Sequence, residues 1–266
     1  MTEILAIGFN TFREALRNKV LYLILFFAIL LIGSSLLLSE LALDAGLRVI
    51  KNLGLSSINV FGLLVAMFIG VTLIPQEVES KTIYTIISQG VRRWQFVLGK
   101  FLGLVLTVYV NMAVMALVLL PIVAIMVETP FHPDIGWTAA AIVMQLLEML
   151  IIIGIAILFS SFSTPILSSV LTLMVYIIGH MTNDFWDYIR LEAEKEGTEI
   201  YCFFLSCVWY ICPHLDMINL KKIAMNYALL PTAETYFPFG PCLIHAVTYT
   251  AVVLLLACMS FSKRDF

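Results

Sequence analysis

The sequence predicts an all-α integral membrane protein with six transmembrane helices, on three observations. Of its 266 residues 61% are hydrophobic and only 12% charged, with a mean hydropathy of +1.01, a balance that soluble domains do not reach. Apolar runs at 20–39, 53–75, 97–126, 137–160, 165–183 and 240–261 match the length of about 20 residues that a spanning helix needs. Within each run the hydrophobicity is continuous and does not alternate, which excludes the strands of an outer-membrane barrel. A single transmembrane domain, 1–266, is expected, placed in the cell inner (plasma) membrane.

Lys and Arg set the orientation. With both termini cytoplasmic, nine basic residues lie inside (Arg13, Arg17, Lys19, Lys81, Arg92, Arg93, Lys100, Lys263, Arg264) and six outside (Arg48, Lys51, Arg190, Lys195, Lys221, Lys222). Glu3 and Glu14 stand where a signal peptide would be basic, so the first span is expected to be retained.

Residues 2–19 form an amphipathic helix by pattern. Leu5, Phe9, Phe12 and Leu16 make one stripe, and Asn10, Arg13, Glu14 and Arg17 the other, so the helix lies in the membrane interface, as an anchor or as a contact for a soluble partner. The first span follows, and Glu40–Asn52 turns the chain back. In the second span Gly62, Ala66 and Gly70 recur every four residues, a spacing that permits close helix approach within a subunit or between subunits. Pro75 marks its end. Residues 76–96 then carry carboxylates, a short amphipathic helix with Ile83, Ile86, Ile87, Gly90, Val91 and Trp94 at helical spacing, and a basic pair.

The third span repeats the four-residue spacing at Gly99 and Gly103, and Pro121 is expected to kink it. In the fourth span Gln145 and Glu148 lie near mid-bilayer, where a carboxylate is costly and faces protein or water. They are either a substrate or proton site or a hydrogen-bonded packing pair. Ser163-Thr164-Pro165 makes a tight turn into the fifth span, at whose outer end His180, Asn183 and Asp184 share a face, either a solvated helix end or a cation site. Residues 185–239 are the longest stretch outside the spans. Tyr201–Cys212 is apolar but too short to cross, which suggests an interfacial or re-entrant helix, followed by a polar segment to Phe239. Cys202, Cys207 and Cys212 fall on the outer side, where a disulfide can form. No spacing among the five cysteines suits a metal site.

The order of these features resembles the type-two permeases of ATP-binding-cassette (ABC) exporters. The resemblance rests on Phe12-Arg13-Glu14-Ala15-Leu16-Arg17-Asn18-Lys19 before the first span, and on Glu77-Val78-Glu79-Ser80-Lys81-Thr82-Ile83 followed by Arg92-Arg93 and Leu98-Gly99-Lys100. The ending Phe261-Ser262-Lys263-Arg264-Asp265-Phe266 completes it. It implies that residues 2–19 and 76–96 seat the chain on a separate ATPase, the latter as a coupling helix, and that about 200–239 forms short outer-leaflet helices. Glu77, Glu79, Lys81, Thr82, Arg92, Arg93 and Lys100 then belong to the coupling region; contact with lipid headgroups is the other reading of its charges. The proline usual in the centre of this loop is replaced here by Gly90-Val91.

No GxxxxGK[ST] phosphate loop occurs, since Phe101 stands where Ser or Thr would bind magnesium. The chain is therefore expected to be a transport subunit with no ATPase chemistry and no cofactor of its own, ATP and Mg being bound by two copies of a partner ATPase. A second permease copy or homologue and membrane lipid complete the expected partners, with no nucleic acid. The few polar groups in the spans lean toward a hydrophobic or amphipathic cargo. An ion-coupled secondary transporter using Glu148 is the alternative, and an intramembrane enzyme lacks the paired groups it requires.

Overall fold

Of the 266 residues, the computed structural model describes 2–42, 45–79, 91–127, 132–182, 212–226 and 239–262. The described regular elements are helical: α1 (Thr2–Leu16), α2 (Lys19–Leu41), α3 (Gly46–Glu79), α4 (Arg93–Val127), α5 (Pro133–Phe162), α6 (Pro165–His180), a 3₁₀ turn (Leu215–Ile218), α7 (Lys221–Asn226) and α8 (Phe239–Ser262). Five of them, in α2, α3, α4, α5 and α8, are long and apolar enough to cross a membrane.

Local chemistry explains the boundaries. Asn18 caps α2 by accepting the Val20 N–H at 3.0 Å. Pro133 and Pro165 occupy the first turns of α5 and α6, where a missing N–H costs nothing. Ser163 and Thr164 form the cap-to-cap turn between those helices, as expected. Two expectations need correction. Pro75 does not end the helix, because α3 is helical through it to Glu79, and α3 begins at Gly46, inside the segment expected to turn the chain back. The 34-residue α3 and 35-residue α4 are about 50 Å long, longer than the roughly 30 Å hydrocarbon layer.

The central helix is α5, which packs against α3, α4, α6 and α8. Its run from Ile151 to Ile157 is buried on all sides. By contrast α2 buries only the stripe Leu21, Ile24, Ala28, Ile32, Ser35 and Ser39. Its Phe26, Leu30 and Leu37 stand exposed, the pattern of a helix with protein on one side and lipid on the other. Where lipid is as apolar as the side chains, close packing holds helices together. The Gly62 and Gly70 seam does this within the chain: a Cβ at Gly62 would meet Met112 of α4 at 3.2 Å, and one at Gly70 would meet Leu104 of α4 at 2.7 Å.

Helix α6 is short. Its 16 residues rise about 24 Å, and His180 ends level with Glu148, halfway along α5. Above it sit the 3₁₀ turn and α7. Leu215, Ile218, Leu220 and Ala224 are at most 1% exposed, so the segment expected to be polar contributes to the core. Gly179 makes this possible, since a Cβ there would lie 2.8 Å from Leu215 and 2.9 Å from the Pro213 carbonyl. Of Tyr201–Cys212, expected as an interfacial or re-entrant helix, residues 201–211 lie outside the described residues, Cys202 and Cys207 among them; Cys212, Cys242 and Cys258 are free thiols.

Candidate functional site

Two regions gather the polar chemistry. The first is at the end of the bundle that carries α1. Gly99 and Gly103 face α1 so closely that a Cβ at Gly99 would lie 2.7 Å from Ile7, and one at Gly103 would meet the Gly8 carbonyl and Thr11. Glycine is required here by proximity. Lys100, between the two glycines, is 1% exposed. Its Nζ lies 3.6 Å from Glu14 Oε2 of α1 and 5.8 Å from the centre of the Phe96 ring. Of the residues expected to face an ATPase, Lys100 therefore turns inward and ties α1 to α4.

The first turn of α4 is equally tied. Gln95 accepts the Arg92 N–H at 2.8 Å, half of a capping box. Arg93 Nη1 donates to the Ser262 carbonyl at the end of α8 (2.8 Å), where the helix dipole favours a cation. Phe96 stacks on Phe261, with centroids 5.7 Å apart. The polar face of α1 remains open: Asn10, Arg13, Glu14, Arg17 and Tyr22 line a surface groove of about 760 Å³ between α1 and α2. Glu77 and Glu79 fall on the last turn of α3, and their side chains, with Lys81 and Thr82, lie outside the described ones.

The second region is at mid-depth. Glu148 does not pair with Gln145, contrary to the packing-pair expectation. Glu148 Oε2 accepts from Asn59 Nδ2 of α3 at 2.9 Å, Asn59 Oδ1 accepts from the Tyr176 hydroxyl of α6 at 2.6 Å, and Glu148 Oε1 faces His180 Nε2 of α6 at 3.4 Å. His180 Nδ1 sits 3.2 Å from the Tyr176 carbonyl, closing a ring of contacts across three helices. Glu148 Oε1 has no hydrogen-bond partner among the described residues, so the 3.4 Å approach of His180 Nε2 is its nearest polar contact in the ring. Gln145 instead donates to the Leu55 carbonyl at 3.0 Å.

Above this ring Lys51 of α3, 1% exposed, pairs with Asp134 of α5 at 2.5 Å and also donates to the Ala224 carbonyl of α7 at 3.0 Å. A buried charge pair with added hydrogen bonds is the arrangement that offsets desolvation. Asn59, Tyr176, Gln145, His180, Ser56 and Lys221 line a cavity of about 160 Å³ beside it. Asn183 and Asp184, expected to join His180, lie outside the described residues. No cluster of three His, Cys, Asp or Glu suited to a metal occurs among the described residues. His214, near Cys212 and Asp216, packs edge-on against His245 at 5.8 Å, and burial, then His245, pushes its pKa down. Neither Asn59 nor Lys51 was singled out as a site residue from the sequence; the signal was a lone amide inside an apolar run and a lysine two residues before that run begins.

Length, apolarity and this tight packing of an N-terminal helix on the third long helix all fit a transporter's membrane subunit. A family model described as ABC-2 family transporter protein matches residues 5–266, nearly the whole chain. The chain belongs to the ABC-2 transporter family. No curated protein matches it. As an ABC-2 family member with several apolar spanning helices it is a multi-pass membrane protein, and membership implies an ABC transporter with an ATPase partner.

Proposed function

We propose that this chain is the permease subunit of an ABC exporter, which dimerises and is driven by two copies of a separate ATP-binding subunit that hold the ATP and Mg. It crosses the membrane six times, with 212–226 at the outer face, and both termini are cytoplasmic. The cargo leaves the cytoplasm and is hydrophobic or amphipathic. The observation that carries this reading is the clamp of α1 onto Gly99 and Gly103. Arg92 adjoins the first residue of α4, so a push delivered there from an ATPase moves α1 and α4 as one rigid lever. The coupling set is Glu77, Glu79, Lys81, Thr82, Arg92 and Arg93, together with the open polar face of α1. Lys100 acts within the lever, through Glu14.

Affinity purification of the chain in mild detergent, with identification of its companions and the native mass, tests the assembly. A phosphate-loop ATPase in a two-plus-two complex is the expected result. A stable complex without any ATPase would favour the second reading, an ion-coupled transporter, for which the buried Glu148–His180 pair at mid-depth speaks. Dependence of transport on ATP rather than on a proton gradient separates the two.

A further inference from the structure

Lys51 and Lys100 are buried, and each lies against a carboxylate, Asp134 and Glu14. Lys221 differs. It is half-buried, its Nζ donates to Ser56 Oγ of α3, and among the described residues no carboxylate is within ion-pair distance of it. It borders the 160 Å³ cavity with Ser56, Asn59, Gln145, Tyr176 and His180. An ammonium withdrawn from water with only a hydroxyl for company is costly unless an anion meets it.

The unused hydrogen-bonding capacity here is on the donor side. Lys221 gives one of its three N–H groups to Ser56, which leaves two. Ser56 accepts that bond through its oxygen, so its own proton is free. Asn219 Oδ1 accepts the Lys221 backbone N–H at 3.1 Å, which leaves its NH₂ group unspent. Gln145, 6% exposed, gives its NH₂ to Leu55, and its Oε1 has no partner. It can accept from a hydroxyl or a water accompanying an anion. The carboxylates that bear on the cavity are Glu148, which accepts from Asn59 and faces His180, and Asp216 of the 3₁₀ turn, which acts on Glu148. Neither is paired with Lys221.

We propose that this cavity binds one phosphate-type oxyanion, clasped by Lys221, Ser56 and the Asn219 amide, with Gln145 accepting from its hydroxyl or hydrating water. A water occupies about 30 Å³, so the space suits a single headgroup-sized anion and no larger polar body. Burial pushes the Lys221 ammonium below the ordinary lysine range, and the bound anion offsets that cost. The site deepens the permease reading by naming the polar end of a cargo or of a resident lipid. Its test reads binding alone, so it stands or falls apart from any ATPase.

The full chain is placed in nanodiscs of phosphatidylcholine, and thermal unfolding is followed as inorganic phosphate replaces chloride at constant ionic strength. A parallel sample carries phosphatidylglycerol in the disc. A saturable rise in Tm with phosphate, lost in Lys221→Met and kept within about tenfold in affinity by Lys221→Arg, identifies a soluble oxyanion. The same dependence on Lys221 with phosphatidylglycerol alone identifies a lipid headgroup. Ser56→Asp places a carboxylate on the ammonium; it is expected to raise the Tm without ligand and to abolish both responses. No rise in either disc, an equal rise in Lys221→Met, or a stable Ser56→Asp protein that still responds overturns the proposal.

Discussion

Two buried pairs and one half-buried lysine show how depth turns an ordinary residue into a structural commitment. Lys51 and Asp134 are both nearly inaccessible, so removing one strands the other. Lys51→Met is expected to cost about 3–5 kcal/mol, while Lys51→Met with Asp134→Leu regains much of it; chemical unfolding in detergent checks both. For Glu148 and His180, a double-mutant cycle with Glu148→Gln and His180→Gln should give a coupling of about 0.5–2 kcal/mol, the range found for polar contacts in membranes. Zero coupling would mean that the 3.4 Å approach carries no energy. Lys221 makes a pH prediction. Its pKa is depressed in the folded state by burial, so the stability it contributes is present above the unfolded value, about 10.4, and is lost as pH falls through the folded one. At neutral pH it is a cost. In the absence of ligand, Tm should therefore rise with pH on approach to that value more in the native chain than in Lys221→Met, and parallel curves would show that the lysine is not strained.

Among the elements, α1 and α4 are the pair on which a mechanism depends. Lipid gives apolar helices no reason to associate, so contact depth decides which of them move together. Gly103 faces the Gly8 carbonyl and Thr11 without room for a Cβ. Gly103→Leu should pry α1 from α4 at about 1–3 kcal/mol while leaving α5 and its neighbours packed. In the exporter reading this variant inserts normally but loses most ATP-driven transport, and transport at the native rate would show that α1 is only an anchor. Replacing Glu77 and Glu79 together by alanine acts on the other arm of the same lever. ATP hydrolysis by the partner should continue while transport drops, and unchanged transport would remove those carboxylates from the coupling role.

At the scale of the molecule, the spanning helices around α5 were legible because twenty-residue apolar runs have no other stable fate in a chain this poor in charge. The pattern of α1 was legible too, since its two faces alternate with helical period over Leu5, Phe9, Phe12 and Leu16. Helix ends were less so: a membrane helix can continue past its apolar run, as α3 does through Pro75, because packing and not hydropathy stops it. Composition by itself determined that this is a helical, multi-pass membrane protein, because hydropathy and charge are sums over the chain that no folding detail can reverse, and the likeness to type-two permeases came from the resemblance of its ordered motifs. Tertiary structure alone decided that Lys100 faces α1, that Glu148 takes Asn59 and His180 as partners in place of Gln145, and that Lys221 is left beside a cavity. Residues as far apart as Asn59, Glu148 and Tyr176 meet only when three helices share one depth, and no local pattern in the sequence records that registration.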